Sequence, residues 1–274
     1  MSSRLRTLSG SLAGLMLVAA ALVAGTLSTP STTSEQVELS SCIGYCAYPR
    51  NAAKVFRWGV ENWSYEFEKG PFPRKHWESN HPLLIGQQSG MLTIKAPARA
   101  HKIVVWPNDQ VARYGRWEAR LRAVELNSLG KHFRFTWRLV AAGGARCGGN
   151  QIVLSSYRPG DRAVNGVVRT LPDNEFSYSS RRDLRSRAWH AFAIEVTRTH
   201  ISWFVDTRVV HTERRPAALS GVRLRPQFVI KAGKGLKRKS MMQMDWVRYY
   251  TLARPGARSV AAPRMTKGTY AGAC

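Results

Sequence analysis

The chain has 274 residues, 44% of them hydrophobic and 10% aromatic, which is ample for a packed core in one large all-β domain or two small ones. Lys and Arg total 42 against 17 Asp and Glu, a formal net charge of +25. Residues 1–25 hold only Arg4 and Arg6 as charges, so removing them leaves 25 − 2 = +23, and a leader is excluded as the source of the charge.

Arg4 and Arg6 precede an apolar run from Leu12 to Ala24, followed by small and polar residues, the order of a secretory signal. The run falls short of the ~20 residues of a spanning helix. Residues 1–25 are therefore expected to be a signal peptide, with an uncleaved anchor as the alternative. Leu39-Ser40-Ser41-Cys42 has the look of a lipobox but lies well beyond the apolar run. Residues 26–54 read as a Ser- and Thr-rich linker that ends in a segment holding Cys42 and Cys46. With Cys147 and Cys274 these make four cysteines, an even count that in an exported chain implies two disulfides with three possible pairings. The Cys42–Cys46 spacing is not that of a zinc site, and no second pair answers it.

From Val55 onward, short alternating runs are separated by turn residues about every ten positions, the pattern of a sandwich or barrel. The expected fold class on this pattern is all-β, a sandwich or barrel over residues 55–253. The tail at 254–274, rich in Pro, Ala and Gly, is expected to be disordered unless Cys274 ties it down. Period two buries Trp117, Ala119, Leu121 and Ala123 and turns Arg116, Glu118, Arg120 and Arg122 the other way. The same rule buries Phe133, Phe135, Trp137 and Leu139 and exposes Arg134, Thr136 and Arg138. A glycine-rich loop from Ala142 to Gly149 then leads into Gln151–Tyr157. There Gln151, Val153 and Ser155 share one face, opposite Ile152 and Leu154; a one-residue bulge after Leu154 brings Ser156 to the first face instead. Asp173 to Arg187 reads as a long exposed loop.

Tyr114-Gly115-Arg116-Trp117-Glu118-Ala119-Arg120-Leu121-Arg122-Ala123 resembles a strand of the family-16 glycoside hydrolases, the laminarinases and lichenases. Trp189-His190-Ala191-Phe192-Ala193-Ile194-Glu195-Val196, with Ile201-Ser202-Trp203-Phe204-Val205-Asp206, is similar to that family's Trp-His-x-Tyr-Ala-Ile-Glu-Trp hairpin and its partner Ile-x-Trp-Tyr-Val-Asp-Gly, with Val196 in place of the Trp and Thr207 in place of the Gly. The resemblance runs from about Trp63 to Leu252 with strands in family order. It implies a two-sheet antiparallel β-sandwich, a concanavalin A-like jelly roll, with a glycan cleft on its concave face, the face to which Arg116, Glu118, Arg120 and Arg122 would then belong. On the strand after the glycine-rich loop the family carries Glu-x-Asp-x-Glu, or Glu-x-Asp-x-x-Glu with a bulge. Here Gln151 and Val153 stand at the first two positions and Ser155 or Ser156 at the third. A retaining glycosidase needs two carboxyl groups ~5–5.5 Å apart. Gln151 cannot ionise, Val153 has no polar side-chain atom, and a serine is a poor nucleophile without a base beside it. No catalytic residue is assigned; Asp161, Asp173 and Glu175 on nearby loops are the alternative source of acids.

The resemblance and the side-chain inventory make Arg120, Trp137, Gln151, Ser155, Ser156, Tyr157 and Arg169 the candidate substrate-binding residues. Trp137 aligns with a family tryptophan that borders the cleft, although plain alternation buries it. Arg169 stands where the family has a cleft-lining histidine. Arginines in a cleft favour an anionic polysaccharide, captured by long-range attraction that salt weakens. The basic clusters at Arg181–Arg187, Arg214–Arg215 and Lys231–Lys239 also fit solvated surface, or the arginine bias of GC-rich coding. With no Gly-x-Ser-x-Gly elbow, Ser155 or Ser156 is not expected to act as a nucleophile, and with only scattered histidines, His76 and His81 among them, no metal is expected, nor any cofactor. The export signal and the absence of a recognised module argue against nucleic acid as partner. The chain thus reads as a secreted or cell-wall-associated protein that binds extracellular or cell-wall carbohydrate without cleaving it. The alternatives are a glycosidase with relocated acids and an envelope protein with a vestigial cleft.

Overall fold

The computed structural model describes residues 51–68, 70–143, 150–253 and 262–271. The expected signal peptide, the linker before Asn51 and all four cysteines lie outside them. The described residues form a one-turn helix, α1 (Ala52–Val55), and sixteen strands. The first eight strands are β1 (Trp63–Tyr65), β2 (Trp77–Ser79), β3 (Ile85–Gln88), β4 (Met91–Ala96), β5 (Lys102–Pro107), β6 (Gly115–Glu125), β7 (Arg134–Ala141) and β8 (Gln151–Tyr157). Then come β9 (Asp161–Thr170), β10 (Asn174–Leu184), β11 (His190–Val196), β12 (Ile201–Val205), β13 (Arg208–Glu213), β14 (Leu224–Lys231), β15 (Ser240–Tyr250) and β16 (Thr266–Thr269). Among the described residues no helix is long and apolar enough to cross a membrane.

Two antiparallel sheets result, each of eight strands. The first runs β13-β12-β11-β6-β15-β4-β3, with β1 also paired to β15; the second runs β16-β10-β9-β8-β7-β14-β5-β2. Neighbours far apart in sequence, such as β6 with β15, make this a jelly roll rather than a meander. The two inner faces supply one core, because alternation gives every central strand an apolar side. From β6 come Trp117, Ala119, Leu121 and Ala123, and from β7 come Phe135, Trp137 and Leu139, all buried. Trp137 stacks on Phe228 of β14 with ring centroids 5.7 Å apart. Trp137 is 0% exposed, so it is core and does not border a cleft. Alternation was the better guide there, because a strand flanked on both sides cannot turn a lone side chain over without a bulge next to it.

Two further expectations change. Residues 173–187 are not an exposed loop: most of them form β10, whose Phe176, Tyr178 and Leu184 are buried between serines and arginines that hide the alternation. The tail also contributes to the sheet, since β16 pairs with β10 from Asn174↔Thr269 to Ser177↔Thr266 and Met265 enters the core.

The outer face of the first sheet is partly covered. Asn51 caps α1, its side-chain oxygen accepting from the Lys54 amide at 3.0 Å. Ala52, Ala53 and Trp58 pack on Ala193, Phe204 and Tyr250 as a second apolar cluster. Glu118 of β6 is wholly buried beneath it. Its Oε1 accepts from the Ala52 amide at 2.6 Å, while Oε2 has no partner. Burial outweighs the hydrogen bonds from Ala52 and Ala53 and pushes the carboxyl up to about 8. The folded chain therefore keeps a proton that the unfolded chain has released above about 4.5. That contribution is complete below the unfolded value and is lost as pH climbs towards the folded one. The thermal midpoint should accordingly fall between about pH 5 and about pH 8, and Glu118→Gln should flatten that fall. An unchanged slope in Glu118→Gln would show that this carboxyl is not the group responsible.

Candidate functional site

The site forms around an irregularity in β8. Against β7, Trp137 pairs with Ser155 and Arg138 with Val153, which leaves Leu154 without a partner of its own. Against β9, Val153 pairs with Val167 and Ser156 with Asn165, so Leu154 and Ser155 together oppose Gly166. This one-residue bulge turns Gln151, Val153 and Ser156 to the outer face of the second sheet. Ile152, Leu154, Ser155 and Tyr157 are buried, Ser155 being 1% exposed. Of the two serines proposed for the third position, the structure selects Ser156.

Two side chains hold the bulge in place. The Trp203 indole N–H, from β12 in the other sheet, donates to the Val153 carbonyl at 3.0 Å. The Tyr178 hydroxyl donates to the Leu154 carbonyl at 3.1 Å. Tyr178 lies across Gly166, its cross-strand partner, where a Cβ would stand 2.1 Å from the ring.

Outside the bulge is an open hollow of about 580 Å³ between β7, β8, β9, β10 and β16. Arg138 leans over its β8 side. Its Nε donates to Gln227 Oε1 at 2.7 Å, and Nη1 donates to Gln151 Oε1 at 3.1 Å. A third donor, Nη2, also meets Gln227 Oε1. Both partners are neutral amides. Burial and then the like charge of Arg169 hold the Arg138 guanidinium below its ordinary value. Arg169 Nε donates to Glu175 Oε2 at 2.7 Å, and its guanidinium lies 4.9 Å from the Tyr270 ring. Ser156 Oγ accepts from Thr136 Oγ1 at 3.3 Å and from Arg134 Nη1 at 3.4 Å. Along the same sheet face, Arg225 lies over the Trp106 ring at 5.3 Å, its Nε buried without a partner.

Acids are sparse here. Glu175 is the one carboxylate lining the hollow among the described residues. Asp161 is spent on its own turn, accepting from the Arg158 amide at 2.7 Å. Asp173 precedes β10, where its carbonyl accepts from the Tyr270 amide. No group of three or more His, Cys, Asp or Glu is placed to hold a metal ion among the described residues.

No protein-family model and no curated protein matches the sequence. Solved structures do match the fold. A non-specific endo-β-1,3(4)-glucanase from family 16 is 14% identical with a TM-score of 0.59, over 70% of this chain and 91% of that one. The laminarinase from Rhodothermus marinus is 18% identical with a TM-score of 0.59, over 70% of this chain and 96% of that one. A glutamate-to-serine mutant of the first glucanase is 15% identical with a TM-score of 0.57, over 70% of this chain and 94% of its own. That mutant was co-crystallised with 1,3-β-D-cellotriosyl-glucose and presents 1,3-β-D-cellobiosyl-glucose at its active site.

The fold is that of the family-16 glucanases.

Within this family-16 fold, the structure brings together four sequence-predicted binding residues or positions: Gln151, Val153, Ser156 and Arg169 all line the hollow. It removes the others. Arg120 lies on β6, in the first sheet, so its outward side chain is on the far side of the sandwich; it pairs with Asp245 at 2.5 Å and covers Trp189. The resemblance had put that face of β6 on the cleft, and sheet membership corrects it. Ser155 and Tyr157 turn inward with the bulge, and burial pushes the Tyr157 hydroxyl up. Trp137 stays in the core. Arg138 and Gln227 were not among the predicted binding residues, although alternation along Phe133–Leu139 had already turned Arg138 outward.

The bulge depends on two buried carbonyls keeping their donors. Tyr178→Phe should lower stability by about 1–3 kcal/mol, because the Leu154 carbonyl stays buried without its partner. Denaturant unfolding measures this, and a variant as stable as the parent would show that Tyr178 does not hold the bulge.

Proposed function

We propose that this chain is an exported, non-catalytic binding protein that holds an extracellular or cell-wall polysaccharide, an acidic one by preference, in the hollow on its second sheet. The observation that carries the reading is the lining of that hollow. At the three outward positions of β8 stand an amide, an aliphatic group and a hydroxyl, and Glu175 is already tied to Arg169. Acid-assisted glycosidic cleavage requires two carboxyl groups flanking one bond. Residues 144–149, which lead into β8, add no acid in their sequence. What remains is an inventory for binding: Gln151, Ser156 and Asn165 offer amides and a hydroxyl to sugar hydroxyls. The co-crystallised glucanase mutant supports the step from fold to ligand, since a cleft of this fold with a glutamate replaced still presents a sugar. Export rests on the basic-then-apolar N-terminus.

Glu175 supports a second reading, a glycosidase that uses this relocated acid. A panel of laminarin, mixed-linkage β-glucan and polygalacturonate separates the two. The binder should be retarded in gels containing at least one of these polymers and release no reducing sugar from any. Reducing-sugar release that disappears in Glu175→Gln would establish the enzyme instead. Neither retardation nor release would leave the hollow vestigial.

A further inference from the structure

Arg138 is a cation in the wrong company. A guanidinium brought partly out of water is stabilised by a carboxylate, and removing such a charge without pairing it is costly. Yet among the described residues no carboxylate bridges Arg138, and its partners Gln151 and Gln227 carry no charge. The neighbouring Arg169 adds repulsion, and its own acid, Glu175, is engaged across β9 and β10. Arginine has five N–H donors, and the two amides take three of them. The amides hold the planar fork against the sheet, while the unused donors and the full charge remain for something that enters from the hollow. Arg134 stands on the same face of β7, donating to the Ser156 hydroxyl.

We propose that Arg138 is an anion-binding centre, which takes the carboxylate or sulfate of an acidic sugar at the place where a family-16 cleft carries its acids. This rests on the carbohydrate-binding reading and names its substrate class. An anionic substituent completes the coordination of Arg138 and offsets its repulsion with Arg169. A neutral glucan does neither. The same hollow furnished with two or three carboxylates would repel such a polymer. Replacing Glu-type side chains by Gln151, Val153 and Ser156 therefore does more than remove acid catalysis: it reverses the sign of the field a substrate meets.

The test compares wild type, Arg138→Gln and Arg208→Gln, whose arginine is exposed on β13 in the other sheet and carries the same charge change. Each is titrated by calorimetry with polygalacturonate, dextran sulfate, laminarin and single-stranded DNA. Arg138→Gln should bind polygalacturonate or dextran sulfate about tenfold more weakly or worse, as expected for truncating one partner of a desolvated charge pair. Arg208→Gln should keep the wild-type affinity, and any laminarin binding should survive in both. The polymer with the larger loss identifies carboxylate or sulfate as the preferred group. Equal losses in both variants would overturn the proposal in favour of bulk charge. A loss confined to DNA would make the hollow a nucleic-acid site. Laminarin bound tightly with no gain for acidic polymers would overturn the anionic centre and leave the carbohydrate reading intact, whereas no polysaccharide binding would overturn both. If Arg138→Gln does not fold, Arg138→Lys carries the test. It keeps the charge without the fork and should bind the acidic polymer more weakly than wild type; undiminished affinity there would overturn the bidentate contact.

Discussion

The Trp203 indole and the Tyr178 hydroxyl hold the carbonyls of Val153 and Leu154, and the character of the hollow follows from those two hydrogen bonds. A strand without the bulge would alternate strictly, and the residue after Leu154 would point outward. With the bulge fixed, Ser155 goes into the core and Ser156 comes out. An unpaired residue in a ladder leaves backbone groups that need partners, and buried ones seldom go without. The partners here are side chains from both sheets, so the outer surface of β8 is set by the packing of the sandwich interior. Gly166 belongs to the same device, since only a residue without Cβ lets the Tyr178 ring cross β9.

Charge is distributed unevenly between the two outer faces. On the first sheet, Arg120 pairs with Asp245, Arg116 with Glu195, and Arg248 with Glu66, while Arg122 rests on the Gln243 amide and the Trp189 ring. On the second sheet, Arg138 rests on amides, Arg225 on an aromatic ring and Arg134 on a hydroxyl, with Arg169–Glu175 as the ion pair of the hollow. A net charge of +25 is by itself only a statement about solubility and long-range attraction. Its local form matters more: Arg138, bound to neutral amides, lines the depression beside the Arg169–Glu175 pair.

The strongly periodic strands could be read directly. Trp117 to Ala123 and Phe133 to Leu139 declare their core faces, because a buried face admits only one register. β10 escaped notice since serines and arginines outnumber Phe176, Tyr178 and Leu184 in its sequence. β16 escaped because four exposed residues, Thr266 to Thr269, carry no apolar pattern and are ordered by the edge of β10. In the hollow, Gln151, Val153 and Arg169 were legible from position along the chain. Tyr157 and Arg120 were not, and at Trp137 the aligned position misled where alternation had its burial right, for an aligned residue type does not say which side of which sheet it faces.

The order of apolar and polar residues therefore determined the class of fold, the faces of the central strands and the absence of acidic residues at the three β8 positions. Alternation within successive strands is enough for the class and the faces, and the family resemblance marks the three β8 positions. Tertiary structure alone decided between Ser155 and Ser156, sent the outer face of β6 to the far side of the sandwich and set Arg138 between Gln151 and Gln227. Each of those depends on a partner distant in sequence: Trp203 for the bulge, β15 and β11 for the place of β6, and β14 for Arg138. A chain read one strand at a time contains the candidates for such contacts, and only the packed sheets select among them.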